Sequence, residues 1–133
     1  MYRRMLYAYY YIRAKRCLIK KDFLCAYNNF LKAEKYYKDD YSLYIYKGVS
    51  EFMLKQFESA LNSFQKALFK IENNNKLDKE NRNYLKKYII GYIVDIFKVL
   101  GNEINLNRYK RMYNSLDYDE NKVNKYFFYD YPI

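Results

Sequence analysis

The chain reads as all-α, a short α-solenoid of antiparallel helix pairs, about three in number. Three observations predict this. First, residues 57–67, FESALNSFQKA, repeat residues 23–33, FLCAYNNFLKA, with six of eleven positions identical at a constant offset of 34. A fixed period near this length is the mark of stacked helix–turn–helix units. Second, Phe, Ala, Phe and Ala fall at i, i+3, i+7 and i+10 within each copy, which is one stripe of an α-helix. Third, only three Gly and one Pro punctuate 133 residues, too few turn formers for a many-stranded β fold.

Each element follows from local signals. Residues 3–19 form a first helix with Tyr7, Tyr10, Ala14 and Cys17 toward its partner. Lys20-Lys21-Asp22 makes the turn, with Asp22 as N-cap of a second helix over residues 23–37. In that helix and its repeat, Ala26, Ala33, Ala60 and Ala67 are small enough for a neighbouring helix to approach closely, and Phe23, Phe30, Phe57 and Phe64 fill the space between. Asp39-Asp40 breaks the pattern, and Asp40 or Ser42 caps a third helix ending near Leu54. A fourth helix covers residues 57–71, and the polar residues 73–77 make a linker. Asp78 caps a fifth helix that reaches Leu100, where Gly101 supplies a stop. Leu106, Tyr109, Tyr113 and Leu116 recur at helical spacing and predict a sixth. The domain is therefore placed at residues 1–116, with an acidic and aromatic tail, 117–133, left unassigned.

The second copy with its preceding helix resembles a tetratricopeptide (TPR) repeat, whose pattern is W-x2-L-G-x2-Y, then A-x3-F and a closing Pro. Tyr44 stands at the Trp position, Gly48 at the Gly, and Ala60 and Phe64 at the A-x3-F pair, with Ala67 at a further small position. In the first copy Tyr10, Ala14, Cys17, Ala26, Phe30 and Ala33 take the corresponding places. Lys47 departs from the pattern by replacing an apolar residue, Glu51 by replacing an aromatic one, and Lys38 and Glu72 stand where Pro would close each copy. The two copies cover residues 7–74, and residues 79–116 resemble a degenerate third with Leu100-Gly101 as its internal turn.

The composition narrows the chemistry. With no histidine in the chain, imidazole metal ligands and histidine general bases are excluded. No glycine-rich phosphate loop, nucleophile elbow or metal-ligand spacing is present, so no catalytic residue, metal or cofactor is expected. Cys17 and Cys25 form neither a disulfide framework nor a C-x-x-C pair, and read as free thiols in a reducing compartment. The arginines near the start resemble a signal peptide, but Arg13, Lys15 and Arg16 interrupt the apolar run. The most apolar later stretch, residues 88–100, is too short to span a bilayer and carries Asp95 and Lys98. The expectation is a cytoplasmic protein with no membrane partner.

The net charge of +10 is concentrated early, with ten Lys/Arg against four Asp/Glu in residues 1–40. Lys, Asn, Tyr, Ile and Phe all have A/T-rich codons, so a biased genome accounts for much of both the charge and the 20 tyrosines. Basic charge interleaved with aromatics also suits single-stranded nucleic acid, which stands as the second reading.

The TPR resemblance implies a non-catalytic protein-binding module, an adaptor or scaffold, whose first helices line a concave groove. Carried residue by residue, that groove takes Tyr11, Lys15 and Leu18 from the first helix, Ile45, Val49 and Phe52 from the third, and Tyr88 from the fifth. The carboxylate clamp of the chaperone-binding members is not implied, because Lys15 lies where they have Asn and Tyr11 where they have Lys. The implied partner is a peptide or protein segment with apolar anchors and acidic flanks, a second copy of the chain being the alternative occupant.

Overall fold

The structure is a computed structural model and describes residues 2–124. It is 79% helix and contains no strand among the described residues. Six helices follow in order: α1 (Tyr2–Ile19), α2 (Phe23–Glu34), α3 (Tyr41–Met53), α4 (Phe57–Glu72), α5 (Lys79–Leu100) and α6 (Glu103–Ser115). A 3-10 turn, Glu120–Lys122, follows α6.

Capping decides where the helices begin. Asp22 accepts from the Cys25 backbone N–H at 3.2 Å and Asp78 from that of Asn81 at 2.8 Å. Of the two candidates before α3, Asp40 is the cap, accepting from the Ser42 N–H at 2.9 Å. The second helix is shorter than the pattern predicts. It stops at Glu34, and the N–H groups of Tyr36 and Tyr37 both turn back to the Ala33 carbonyl.

The turns inside the three helix pairs share one construction. Lys21, Lys55 and Gly101 each adopt the left-handed conformation, at φ 60°, 62° and 70°. In each case that residue's N–H reaches back three residues and the next N–H reaches back five: Lys21 to Leu18 and Asp22 to Cys17, Lys55 to Phe52 and Gln56 to Glu51, Gly101 to Lys98 and Asn102 to Phe97. This double closure satisfies carbonyls that a helix end would otherwise leave bare.

The described residues fall into two compact units, residues 2–67 and Leu68–Asn124, and α4 runs from the first into the second. In the first unit the four repeat alanines Ala26, Ala33, Ala60 and Ala67 are all inaccessible to solvent, as are Phe30 and Phe64. Phe23 and Phe57, at the helix starts, are only half-buried. Gly48 is a point of close approach, since a side-chain carbon there would come within 2.6 Å of the Phe64 ring. Cys17 and Cys25, expected as free thiols, are instead joined in a disulfide with their Cα atoms 5.8 Å apart. The α1–α2 turn brings the last turn of one helix against the first turn of the other, which the sequence spacing alone does not display.

In the second unit α5 buries Leu85, Ile89, Ile90, Ile93, Ile96 and Phe97, whereas α6 buries no residue completely. Tyr109 of α6 stacks on Phe97 at 5.5 Å between ring centroids. The segment after α6 is built onto the start of α5. The Asn83 amide donates to the Asp117 carbonyl at 2.9 Å, the Asp119 N–H to the Glu80 carboxylate at 2.6 Å, and the Asn124 N–H to the Asn81 side chain at 2.7 Å. Tyr118 packs edge-on against Tyr84 at 5.2 Å. The acidic part of the tail thus has a definite place, while residues 125–133 lie outside the described residues.

Candidate interaction surface

The residues expected to line a groove divide sharply. Leu18, Ile45 and Val49 are buried within the chain, with at most 1% exposure. The reason lies in α3 as a whole, where Leu43, Tyr44, Ile45, Tyr46, Gly48, Val49, Ser50 and Glu51 are all buried. Those positions point in every direction around a 3.6-residue helix, so α3 is enclosed on all sides and presents no open apolar stripe. A partner reaches Ile45 or Val49 only by displacing part of the chain. Tyr11, Lys15, Phe52 and Tyr88 are partly exposed, with Tyr88 in the second unit and the others in the first.

Around Tyr11 the first unit gathers a ring cluster. Tyr7 stacks on Tyr11 at 5.6 Å, and Phe30 stacks on Tyr46 at 6.2 Å. Tyr11 meets Phe30 and Tyr46 edge-on at 6.0 and 6.3 Å. The Lys15 ammonium lies over both the Tyr11 and the Tyr46 rings, at 5.6 and 5.4 Å, a favourable cation–π placement. The Tyr7 hydroxyl donates to the Asp40 carboxylate, which also caps α3. Burial, reinforced by that hydrogen bond and by the Asp40 charge, holds the Tyr7 hydroxyl protonated well above the usual phenol range. Burial and the Asp40 charge do the same for Tyr11. Both hydroxyls therefore stay un-ionised at physiological pH, and the Tyr7–Asp40 bond ties α1 to the cap of α3.

The two polar departures from the repeat pattern each find a partner. Lys47 pairs with the Glu34 carboxylate at 3.0 Å, with the two side chains only 11% and 17% exposed. The Tyr44 hydroxyl donates to the same carboxylate at 3.0 Å. Burial works to raise the Glu34 pKa, but the hydrogen bond and charge of Lys47 and the hydrogen bond from Tyr44 outweigh it and leave it lowered. Glu51, 2% exposed, accepts from the Ser63 hydroxyl. Burial pushes its carboxyl upward, and the Ser63 bond offsets this only in part.

Described residues line at least two concavities. A cleft of about 710 Å³ runs along α2, lined by Asn28, Leu31, Lys32, Glu34, Lys35 and Lys38. In the second unit a cavity of about 260 Å³ is lined by Tyr84, Lys87, Tyr88, Gly91, Tyr113 and Tyr118. The Lys87 ammonium sits 4.7 Å from the centre of the Tyr113 ring.

Among the described residues of the first unit, α1 carries the longest line of exposed apolar side chains. Tyr2, Met5, Tyr9, Ile12 and Ile19 are each at least half exposed. With Arg16 they recur at alternating spacings of three and four residues, on the side opposite the buried Ala14, Cys17 and Leu18. This alternation, legible in the sequence, is the signal that reading for the inward stripe passes over. Because apolar, aromatic and cationic residues are spread all round α1, its inward and outward stripes look alike until packing separates them.

Among the described residues no group of three or more His, Cys, Asp and Glu is placed to hold a metal ion, and no helix is long and apolar enough to cross a membrane. No protein-family model, characterised protein or solved structure matches the chain.

Proposed function

We propose that the chain is a non-catalytic protein-recognition module, a short solenoid of three TPR-like helix pairs that serves as an adaptor or scaffold. The shared turn construction at Lys21, Lys55 and Gly101 supports the three-pair reading. The observation that carries recognition is the outer face of α1, where five large apolar side chains stand open along one line. A contiguous apolar stripe of this kind marks a contact surface more often than a solvated one. A photo-crosslinker at position 12 should therefore form protein adducts in a nuclease-treated native lysate, and one at the exposed position 58 should not. Equal labelling from both positions is evidence against the reading.

The second reading, single-stranded nucleic acid, is favoured by the tyrosine-lined cavity beside Lys87. Stacking of bases on aromatic rings with a lysine near the backbone is the common mode of such binding. It predicts affinity that falls with salt at a log–log slope of about −0.7 per phosphate contact and that depends on Tyr113.

A further inference from the structure

We infer that the outer face of α1 takes an acidic amphipathic helix from another protein. This rests on the recognition reading and adds the chemistry of the partner.

The spacing argues for a helix. Tyr2, Met5, Tyr9, Ile12, Arg16 and Ile19 follow the three–four alternation of a coiled-coil seam, which keeps one face toward a second helix over its whole length. From Tyr2 to Ile19 the seam rises about 26 Å at roughly 1.5 Å per residue, enough for more than two heptads of a partner.

The charge argues for acidity and against a second copy. Residues 2–21 contain seven Lys/Arg and no Asp or Glu. Arg13, Arg16 and Lys20 recur at spacings of three and four along the same side as the seam and are exposed. The Arg13 guanidinium is fixed there, with Nη1 donating to the Tyr9 hydroxyl at 2.9 Å and Cζ 6.0 Å from the ring centre. Two copies of α1 laid together would oppose these cations with no carboxylate between them. A helix carrying Glu or Asp at the positions flanking its own apolar seam would complement them. Arg16 interrupts the apolar seam, and an acidic group at the partner's flanking position beside it fixes the register of the pair.

The test uses two labelled peptides of about three heptads, both with Leu at the seam, one with Glu and one with Gln at the flanking positions. Fluorescence anisotropy with the full chain should show binding of the Glu peptide, weakened by added salt and reduced at least about tenfold by Ile12→Glu and by Arg16→Glu. A third peptide with Lys at the flanking position facing residue 16 should restore binding to Arg16→Glu. Both substituted positions are exposed, and unchanged circular dichroism of the variants keeps the comparison one of binding. Equal binding of the Glu and Gln peptides overturns the acidic partner while leaving recognition at α1 standing. Ile12-dependent self-association in sedimentation assigns the face to a second copy instead. Ile12-dependent partition to phosphatidylglycerol vesicles, with neither peptide bound, overturns both this inference and the reading beneath it.

Discussion

Lys21 and Lys55, 34 residues apart in sequence, hold the same left-handed backbone conformation, at φ 60° and 62°. A β-carbon in that region crowds the following carbonyl and costs about 1–2 kcal/mol, whereas glycine adopts it freely. The third equivalent turn already has glycine, Gly101. Lys55→Gly should raise stability by up to about 1 kcal/mol, since the relief of strain exceeds the added freedom of the unfolded chain. A urea midpoint that falls in the variant would show that the lysine side chain contributes more than its backbone costs.

Gly48 should resist substitution. Alanine favours a helix interior over glycine by roughly 0.5–1 kcal/mol, but its β-carbon would meet Phe64 at 2.6 Å, inside any real contact distance. Forcing extra volume into a packed core costs about 1–3 kcal/mol, so the steric term wins and Gly48→Ala should destabilise. Combining it with Phe64→Leu should recover part of the loss, measured as a coupling in a double-mutant cycle.

The Lys47–Glu34 pair is partly buried, and removing Lys47 leaves the Glu34 carboxylate with only the Tyr44 hydroxyl and the Lys66 charge. Lys47→Ala and Tyr44→Phe should each cost about 1.5–3 kcal/mol, the worth of a hydrogen bond to a charged group. The Glu34 pKa is lowered in the folded chain. Its contribution is therefore present above the unfolded carboxylate pKa and is lost as the pH falls through the folded one. Chemical denaturation from neutral pH into acid should show the gap between wild type and Lys47→Ala narrowing.

Glu51 has the opposite sign. Its folded pKa is raised, so its protonated form suits the core, and its contribution is greatest below the unfolded pKa and declines as the pH rises through the folded value. Glu51→Gln keeps an acceptor for the Ser63 hydroxyl without the charge. The variant should be more stable than wild type at neutral pH, with the advantage disappearing in acid. An advantage independent of pH would mean that the Glu51 pKa does not change on folding.

Val49→Glu places a carboxylate at a fully buried position, and burying an unpaired charge costs several kcal/mol. It should lower the thermal midpoint steeply. Ile12→Glu, on the exposed side of α1, should leave the midpoint within about 0.5 kcal/mol of wild type in free energy. Thermal unfolding of the two side by side separates core from surface.

These outcomes mirror what the sequence makes legible. Small residues at helical spacing identify a core face without ambiguity, and Ala26, Ala33, Ala60 and Ala67 are all inaccessible. Lys47 and Glu51 look like departures because a charge on an apolar stripe has no partner visible along the chain. Glu34 lies 13 residues before Lys47 and Ser63 lies 12 after Glu51, on neighbouring helices. Ile45 and Val49 look like an open face because a stripe can be drawn in any direction on an enclosed helix. The outward seam of α1 and the Cys17–Cys25 pairing depend on which side of a helix meets its neighbour, and periodicity leaves that choice open.

The return of the chain onto the start of α5 also bears on the order of folding. Each helix pair closes its own turn through bonds spanning three to five residues, so these turns need no partner from elsewhere in the chain. The first turns of α5 differ, because Glu80, Asn81 and Asn83 take partners 34 to 43 residues downstream. Loop closure over that distance carries an entropy penalty that local turns avoid. During synthesis these three hydrogen bonds at the start of α5 therefore form only after residues 117–124 have been made. The second unit is thus completed by its last described stretch of chain.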